Sequence, residues 1–251
     1  MSGTAADVLF GTADVEALAA NDPVMERLDT EPLVLPDAWV LQVTYEMPAT
    51  AREVLLPPAL HPTDPPLVSW TFVRCASGPL GAFALAQLRV ECRSGLRPRG
   101  FLIASVIDAV EVGRTLTARW GYGPRLGEVR LARQYDAVTG TVCVDGRTIL
   151  EVGLRDPDPL GPHDIQYTAS MHLARTPRGV RLVQVDPTFA VQRAERGRPH
   201  LSAFDAVAWG DARILPVHPV AASIAIAEVT LPKLRYLCRP DVWAFDGTEH
   251  L

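Results

Sequence analysis

The chain is almost without lysine. Of its 24 basic residues only Lys233 is a lysine, and the other 23 are arginines. Chemistry that needs a free side-chain amine therefore has one candidate, because a guanidinium holds its proton at any pH near neutrality. Cysteine is sparse: Cys75, Cys92, Cys143 and Cys238 lie far apart, with no C-x-x-C and no histidine pair at ligand spacing. A zinc site or a disulfide framework is not expected, and neither a metal nor another cofactor is implied. No basic run stands out and the net charge is −5, which argues against nucleic acid as a partner. No apolar run approaches the length of a membrane-spanning helix. The start, "MSGTAADVLF", lacks the basic and apolar regions of a signal peptide, so a cytoplasmic protein is expected. G-x-S-x-G is missing. "GYGPRLG" at 121–127 has neither the helix-opening context nor the G-K-[ST] ending of a phosphate loop. The six histidines are scattered and read as structural or surface residues.

What is present is apolar. The chain is 48% hydrophobic and 21% charged over 251 residues, enough for one well-buried domain. Residues 1–36, broken up by Pro23, Pro32 and Pro36, read as a surface arm, and 37–251 as a single domain. Within the arm, "TADVEALAA" (12–20) predicts a short helix capped by Thr12. In "WVLQVTY", Trp39, Leu41, Val43 and Tyr45 share one face, the period of a strand. Thr50 and Glu53 form a capping box for a helix of about two turns, which Pro57 stops.

Residues 67–73, 82–92, 101–107 and 220–231 read as strands. Asp145-Gly146 marks a hairpin within 141–154, and Pro177–Gly179 suggests another. "FDAVAWG" (204–210) reads as a short helix or a turn, and "RWGYGPRLG" (119–127) as a loop between two strands. Strands outnumber helices, so the fold class is mainly β (α+β), a barrel or sandwich with a few short helices.

The strand at 83–92 has two distinct faces. Ala84, Ala86, Leu88, Val90 and Cys92 form the more apolar one and should meet the main core. Phe83, Leu85, Gln87, Arg89 and Glu91 form the other, which faces either solvent or a polar pocket.

Several segments together resemble the acetoacetate decarboxylase family. "LLPPALHPTDPPLVSW" is similar to its opening helix, Leu-Pro turn and strand. "GPLGAFALAQLRV" resembles its G-x-Y-x-E strand, and "VEVGRTLTARWGYGPRLGEVRL" its Gly-Arg-Glu element and aromatic-Pro-Lys-Lys loop. "LSAFDAVAWGDARILPVHPVAASIAIAEVTLP" (201–232) resembles its C-terminal Phe-Asp, Leu-Pro-Val, Ser and Leu-Pro pattern, in order and with similar spacing. The resemblance covers about residues 39–238. It implies a cone-shaped β-barrel around a closed apolar cavity and a tendency to form homo-oligomers. It also implies chemistry on a β-keto acid through a lysine Schiff base, with a neighbouring lysine lowering the nucleophile's pKa.

The departures fall on that chemistry. With a three-residue insertion the lysine pair falls on Pro124 and Arg125, and without it on Gly121 and Tyr122. The glutamate of Gly-Arg-Glu is Thr115, the strand glutamate is Leu85, and the acid of the preceding strand is Thr71. Lys233, in "TLPKLRY", sits where a surface strand end is usual.

The expectation is thus an enzyme of specialised, natural-product metabolism that acts on a keto or polyketide-like small molecule by non-covalent catalysis: cyclisation, dehydration, isomerisation or an aldol-type step. Arg125 and Tyr122 are the expected catalytic residues. Trp120, Arg114, Gln87, Arg89, Leu85, Thr71 and Phe83 are expected to bind substrate. The alternatives are a non-catalytic binding or sequestration protein with the same pocket, and a covalent lyase that uses Lys233.

Overall fold

Strand after strand alternates side chains across one sheet, and the computed structural model, which describes residues 9–251, shows where the two faces go. The first half holds β1 (Leu33–Glu46), β2 (His61–Pro62), β3 (Leu67–Cys75), β4 (Phe83–Ser94), β5 (Arg97–Ile107), β6 (Arg125–Leu126) and β7 (Glu128–Gln134). The second holds β8 (Ala137–Val144), β9 (Arg147–Leu160), β10 (Ser170–Thr176), β11 (Gly179–Val185), β12 (Thr188–Phe204), β13 (Pro219–Leu231), β14 (Tyr236–Cys238) and β15 (Thr248–His250). The α-helices are α1 (Val15–Leu18), α2 (Val110–Trp120) and α3 (Ala244–Gly247). The fold is mainly β, as expected.

The strands form one sheet in the order β15-β14-β11-β10-β5-β4-β3-β1-β13-β12-β9-β8-β7, with β2 and β6 pairing onto β4 and β5. Pairing is antiparallel except where β5 meets β10 and β6. The hydrogen-bonded ladder of the expected barrel has two ends, β15 and β7, and does not close. The sheet instead curls over itself. Gly140 of β8 lies so close over Phe72 of β3 that a Cβ there would meet the ring at 2.6 Å. The curl encloses one apolar cluster, with Leu41, Val43, Trp70, Phe72, Leu88 and Val152 among its members. The opposite face of β1, β4 and β13 carries a second cluster, covered by α2 and β11, with Leu35, Leu85, Leu116, Trp120 and Val229.

The local turn chemistry is direct. Asp145 (φ 51°) and Gly146 (φ 73°) both take positive φ, as a type I′ turn between β8 and β9 requires. Gly179 (φ 89°) turns β10 into β11. Residues 204–210 form a turn in which Asp205 Oδ1 accepts from Ala208 N at 2.9 Å.

Three local expectations are corrected. The helix expected over 12–20 is only α1 plus a 3₁₀ turn at Ala19–Asn21, and its cap is Asp14, not Thr12. Thr12 N donates to Glu53 O at 2.8 Å, which holds it outside the helix. The capping-box helix is a 3₁₀ turn, Ala49–Ala51, followed by further turns. Glu53 reaches Arg52 Nε at 3.2 Å rather than the backbone of Thr50. Finally, 119–127 is not a loop between two strands, since α2 runs up to Trp120 and places Val112, Leu116 and Trp120 on one buried stripe.

In the segment expected as an arm, residues 1–8 lie outside the described residues. Met25 is buried at 1% exposure, and Met25 N donates to Arg175 O at 2.8 Å. β1 already begins at Leu33.

Candidate active site

β4 settles the two-faced question. Phe83, Leu85, Gln87 and Arg89 are all buried and line a narrow cavity of about 50 Å³ within the second apolar cluster. Thr71 and Val73 of β3 lie beside them, in register with Gln87 and Leu85. Leu116 comes from α2, and Tyr122 from the segment that follows it. Leu35, Phe189, Val229 and Leu231 close the apolar walls from β1, β12 and β13. Tyr167 and Thr168 enter from the segment before β10.

Among the described residues one charged side chain lines this cavity. Arg89 donates through Nη2 to Gln87 Oε1 and through Nη1 to Thr168 O at 3.0 Å. Its Nε is buried with no partner. Among the described residues no carboxylate lies within ion-pair distance of Arg89. Glu91, the acid whose field reaches it, accepts from Ser69 Oγ at 2.6 Å. Burial pulls the Arg89 pKa down, and Tyr122 and Glu91 push it back up. A guanidinium starts so high that it remains a cation. Burial likewise raises the Glu91 carboxyl, against the hydrogen bond from Ser69.

Beside this cation stand hydroxyl groups. Tyr122 OH lies 2.8 Å from Ser170 Oγ, and burial pushes its pKa up, so it is a neutral O–H donor at ordinary pH. Thr71 Oγ1 is buried without a partner. Tyr167 OH donates to Val40 O at 3.2 Å. Behind Tyr122, with ring centroids 4.6 Å apart, lies His172. Its Nε2 is 2.7 Å from Trp120 O and must donate, since a carbonyl only accepts. Burial lowers its pKa to about 4, so it is neutral.

Two glycines bring Tyr122 here. Gly121 ends α2 with φ 72°, and a Cβ there would meet Met25 Sδ at 2.7 Å. At Gly123 a Cβ would come within 3.2 Å of Pro23. A side chain at Gly121 would force Met25 to shift, and one at Gly123 would press on Pro23.

Tyr122, Gln87, Arg89, Leu85, Thr71 and Phe83 therefore converge, while Arg125, Arg114 and Trp120 do not. Arg125 is exposed on β6, where its Nη2 donates to Ala208 O and its guanidinium stands 6.0 Å from the Trp209 ring centroid. After Gly123-Pro124 the chain turns outward to pair in parallel with Val106, which carries Arg125 away from the cavity. Arg114 is exposed on α2 and pairs with Glu111 at 2.6 Å. Trp120 is fully buried, with Nε1 donating to Pro232 O at 2.8 Å, and packs under α2 without lining the cavity. Lys233 is exposed and does not line it either. Thr168, Ser170 and His172 escaped the sequence reading. Only the two-residue spacing of Ser170 and His172 along a strand hints at them.

The arrangement offers a fixed cation and hydrogen-bond donors inside apolar walls. Such a site can hold a carboxylate or stabilise negative charge that develops on a keto oxygen. Among the described residues no group of three or more His, Cys, Asp or Glu side chains gathers to hold a metal ion. No described helix is long and apolar enough to cross a membrane.

The fold is shared with solved structures at low sequence identity. Acetoacetate decarboxylase from Legionella pneumophila subsp. pneumophila str. Philadelphia 1 is 18% identical, with a TM-score of 0.72 over 92% of this chain and 97% of that one. The enduracididine biosynthesis enzyme MppR, solved with pyruvate, is 16% identical, with a TM-score of 0.64 over 80% and 88%. An acetoacetate decarboxylase-like enzyme from Sphingomonas wittichii RW1 is 17% identical, with a TM-score of 0.64 over 82% and 92%. No curated protein matches the sequence. The family model for acetoacetate decarboxylase matches residues 21–239, most of the chain, and the protein belongs to that family.

Proposed function

We propose that the protein is an enzyme that acts on a short oxo acid by non-covalent catalysis, without a Schiff base. The observation that carries this reading is Arg89, a buried guanidinium with no carboxylate partner, beside the Tyr122 hydroxyl. A desolvated cation favours an anionic ligand, and the phenol donates to the keto oxygen as charge builds there. Ser170 Oγ is the next hydroxyl in the chain from Tyr122. A cavity of about 50 Å³ suits a compact oxo acid better than a polyketide. The chemistry supported is that in which the keto oxygen gains charge: an aldol-type step, an isomerisation through an enolate, or a cyclisation in which the substrate brings its own nucleophile. MppR, which shares the fold, is a biosynthetic enzyme solved with pyruvate, and this favours a role in specialised metabolism.

The test is calorimetric titration with pyruvate and acetoacetate, with turnover followed by proton NMR and a borohydride trap run in parallel. The reading expects saturable binding, weakened about 10- to 100-fold in Arg89→Met, the range for a hydrogen bond to a charged group. Tyr122→Phe should lower turnover about 100-fold, as the loss of one oxyanion donor does. A reduced adduct on Lys233 would overturn the reading. So would Arg89→Met binding at wild-type strength.

A second reading, a binding protein that sequesters such acids, is favoured by one fact: among the described residues no carboxylate, lysine or histidine lines the cavity. Saturable binding with no chemical change across a panel of oxo acids would select it. Homo-oligomeric assembly in the cytoplasm belongs to both readings. Exposed Leu96 and Phe245 support assembly, and light scattering tests it.

A further inference from the structure

The backbone that carries Tyr122 into the first cavity also borders a second. Gly121 and Gly123 line a cavity of about 340 Å³, with Asp22 and Ser105 on its walls. Much of the remaining wall is apolar, including Leu18, Leu55, Leu102 and Leu173. The polar atoms it leaves unsatisfied can all accept. Asp22 Oδ2 is buried with no partner. Ser105 is 4% exposed and its Oγ has no partner. His172 also lines this cavity, and the Nδ1 of its neutral ring is buried without a donor.

Among the described residues no lysine or arginine lines the cavity. Arg175, the cation whose field reaches Asp22, has its Nη2 turned to the carbonyls of Ala19 (3.2 Å) and Ala20 (3.1 Å). The other wall carboxylate, Asp211, is already held by Arg213. Asp22 is thus a half-buried acid that no cation of the described residues pairs, facing hydrocarbon and further acceptors. An anion is repelled here, and a neutral alcohol leaves the carboxylate without a counter-charge. A bare metal ion finds too few ligands. A group with several N–H donors, a positive charge and a hydrocarbon tail matches every wall.

We propose that this second cavity is a binding site for a short aliphatic primary ammonium ion. Asp22 takes its charge, Ser105 Oγ is a further acceptor, and the chain lies along Leu18, Leu55 and Leu102. The two cavities share no lining residue, so the site does not rest on the reading of the first, although His172 of this wall packs against the Tyr122 ring.

The experiment is titration of the full chain with n-butylammonium, followed by calorimetry and by heteronuclear NMR shifts. 1-Butanol and butyrate serve as probes of equal length. The expected result is saturable binding of the ammonium alone, weakened about tenfold or more by Asp22→Asn, as for a charge-assisted hydrogen bond, and weakened by Ser105→Val, which removes the second acceptor. Arg89→Met should bind the ammonium as the wild type does, whatever its effect on oxo acids. A crystal soaked with n-butylammonium gives a readout that does not rely on variants, with the nitrogen expected against Asp22. The proposal fails if the wild type shows no saturable binding, if 1-butanol binds equally well, or if folded Asp22→Asn retains full affinity.

Discussion

Gly121 is where a backbone requirement delivers a functional side chain. Its φ of 72° and the 2.7 Å approach of Met25 Sδ leave no room for a Cβ. Gly121→Ala should destabilise the fold by about 1–3 kcal/mol in urea unfolding and weaken oxo-acid binding with it, because Tyr122 follows directly. His172 is the second residue with a measurable signature. Its pKa of about 4 lies below the ordinary 6.5, so the unfolded chain takes up a proton first as pH falls. Stability should therefore drop between about pH 6.5 and 4, by at most about 3 kcal/mol from this group. Asp22 acts in the opposite sense. Its pKa is raised from 3.8 to about 6, so its contribution is present below pH 3.8 and lost as pH rises through 6. Denaturant midpoints across pH 4–7 should show a flatter profile for His172→Gln and a steeper acid loss for Asp22→Asn. At this scale the sequence was partly readable. Alternation along β4 placed Gln87 and Arg89 on one face, but whether that face met solvent or a pocket depended on what covers it. The Tyr122–Ser170 contact spans 48 positions, a distance at which a sequence carries no local signal.

The element that shapes the cavity is α2. Its sequence carries a weak helical signal, because Gly113, Thr115 and Thr117 are poor helix formers. Tertiary packing overrides that preference through the Val112, Leu116 and Trp120 stripe. The threonines also find partners along the helix: Thr115 Oγ1 donates to Glu111 O at 3.0 Å, and Thr117 Oγ1 to Gly113 O at 2.8 Å. Gly113 sets how near the helix comes, since a Cβ there would sit 3.2 Å from Ile107 Cγ2. Gly113→Val should push α2 outward, lower the melting temperature by several degrees and widen the gap between Leu116 and β4. The readout is weaker oxo-acid binding with the far-UV spectrum preserved. The β8–β9 hairpin shows the opposite case. Its Asp145-Gly146 turn needs positive φ at both positions and was legible from two letters.

Across the molecule, two apolar clusters share β1, β3 and β4 as a common wall. Neither can lose that wall without exposing the other, so unfolding should be a single transition. Trp70 reports the first cluster and Trp120 the second, and both are fully buried. Denaturation followed by fluorescence in Trp70→Phe and in Trp120→Phe should agree, within each variant, with its own circular dichroism midpoint. Two separate midpoints within either variant would show that the clusters melt independently. The sheet as a whole was legible as β-rich, from alternation and turn residues. Its open ladder was not, because closure depends on how edge strands meet, and pattern along the chain is silent on that.

Lys233 remains, exposed on the loop after β13, one residue past the carbonyl that holds the Trp120 indole. A chain with a single side-chain amine is its own labelling design. An amine-reactive dye used above pH 8, or isotopic methylation, marks that loop and otherwise only the chain's α-amine, which peptide mapping separates from it. A probe there sits beside a native tryptophan at the end of the helix that leads to Tyr122. Quenching between the two would report, without an engineered cysteine, how the helix end shifts when the cavity fills.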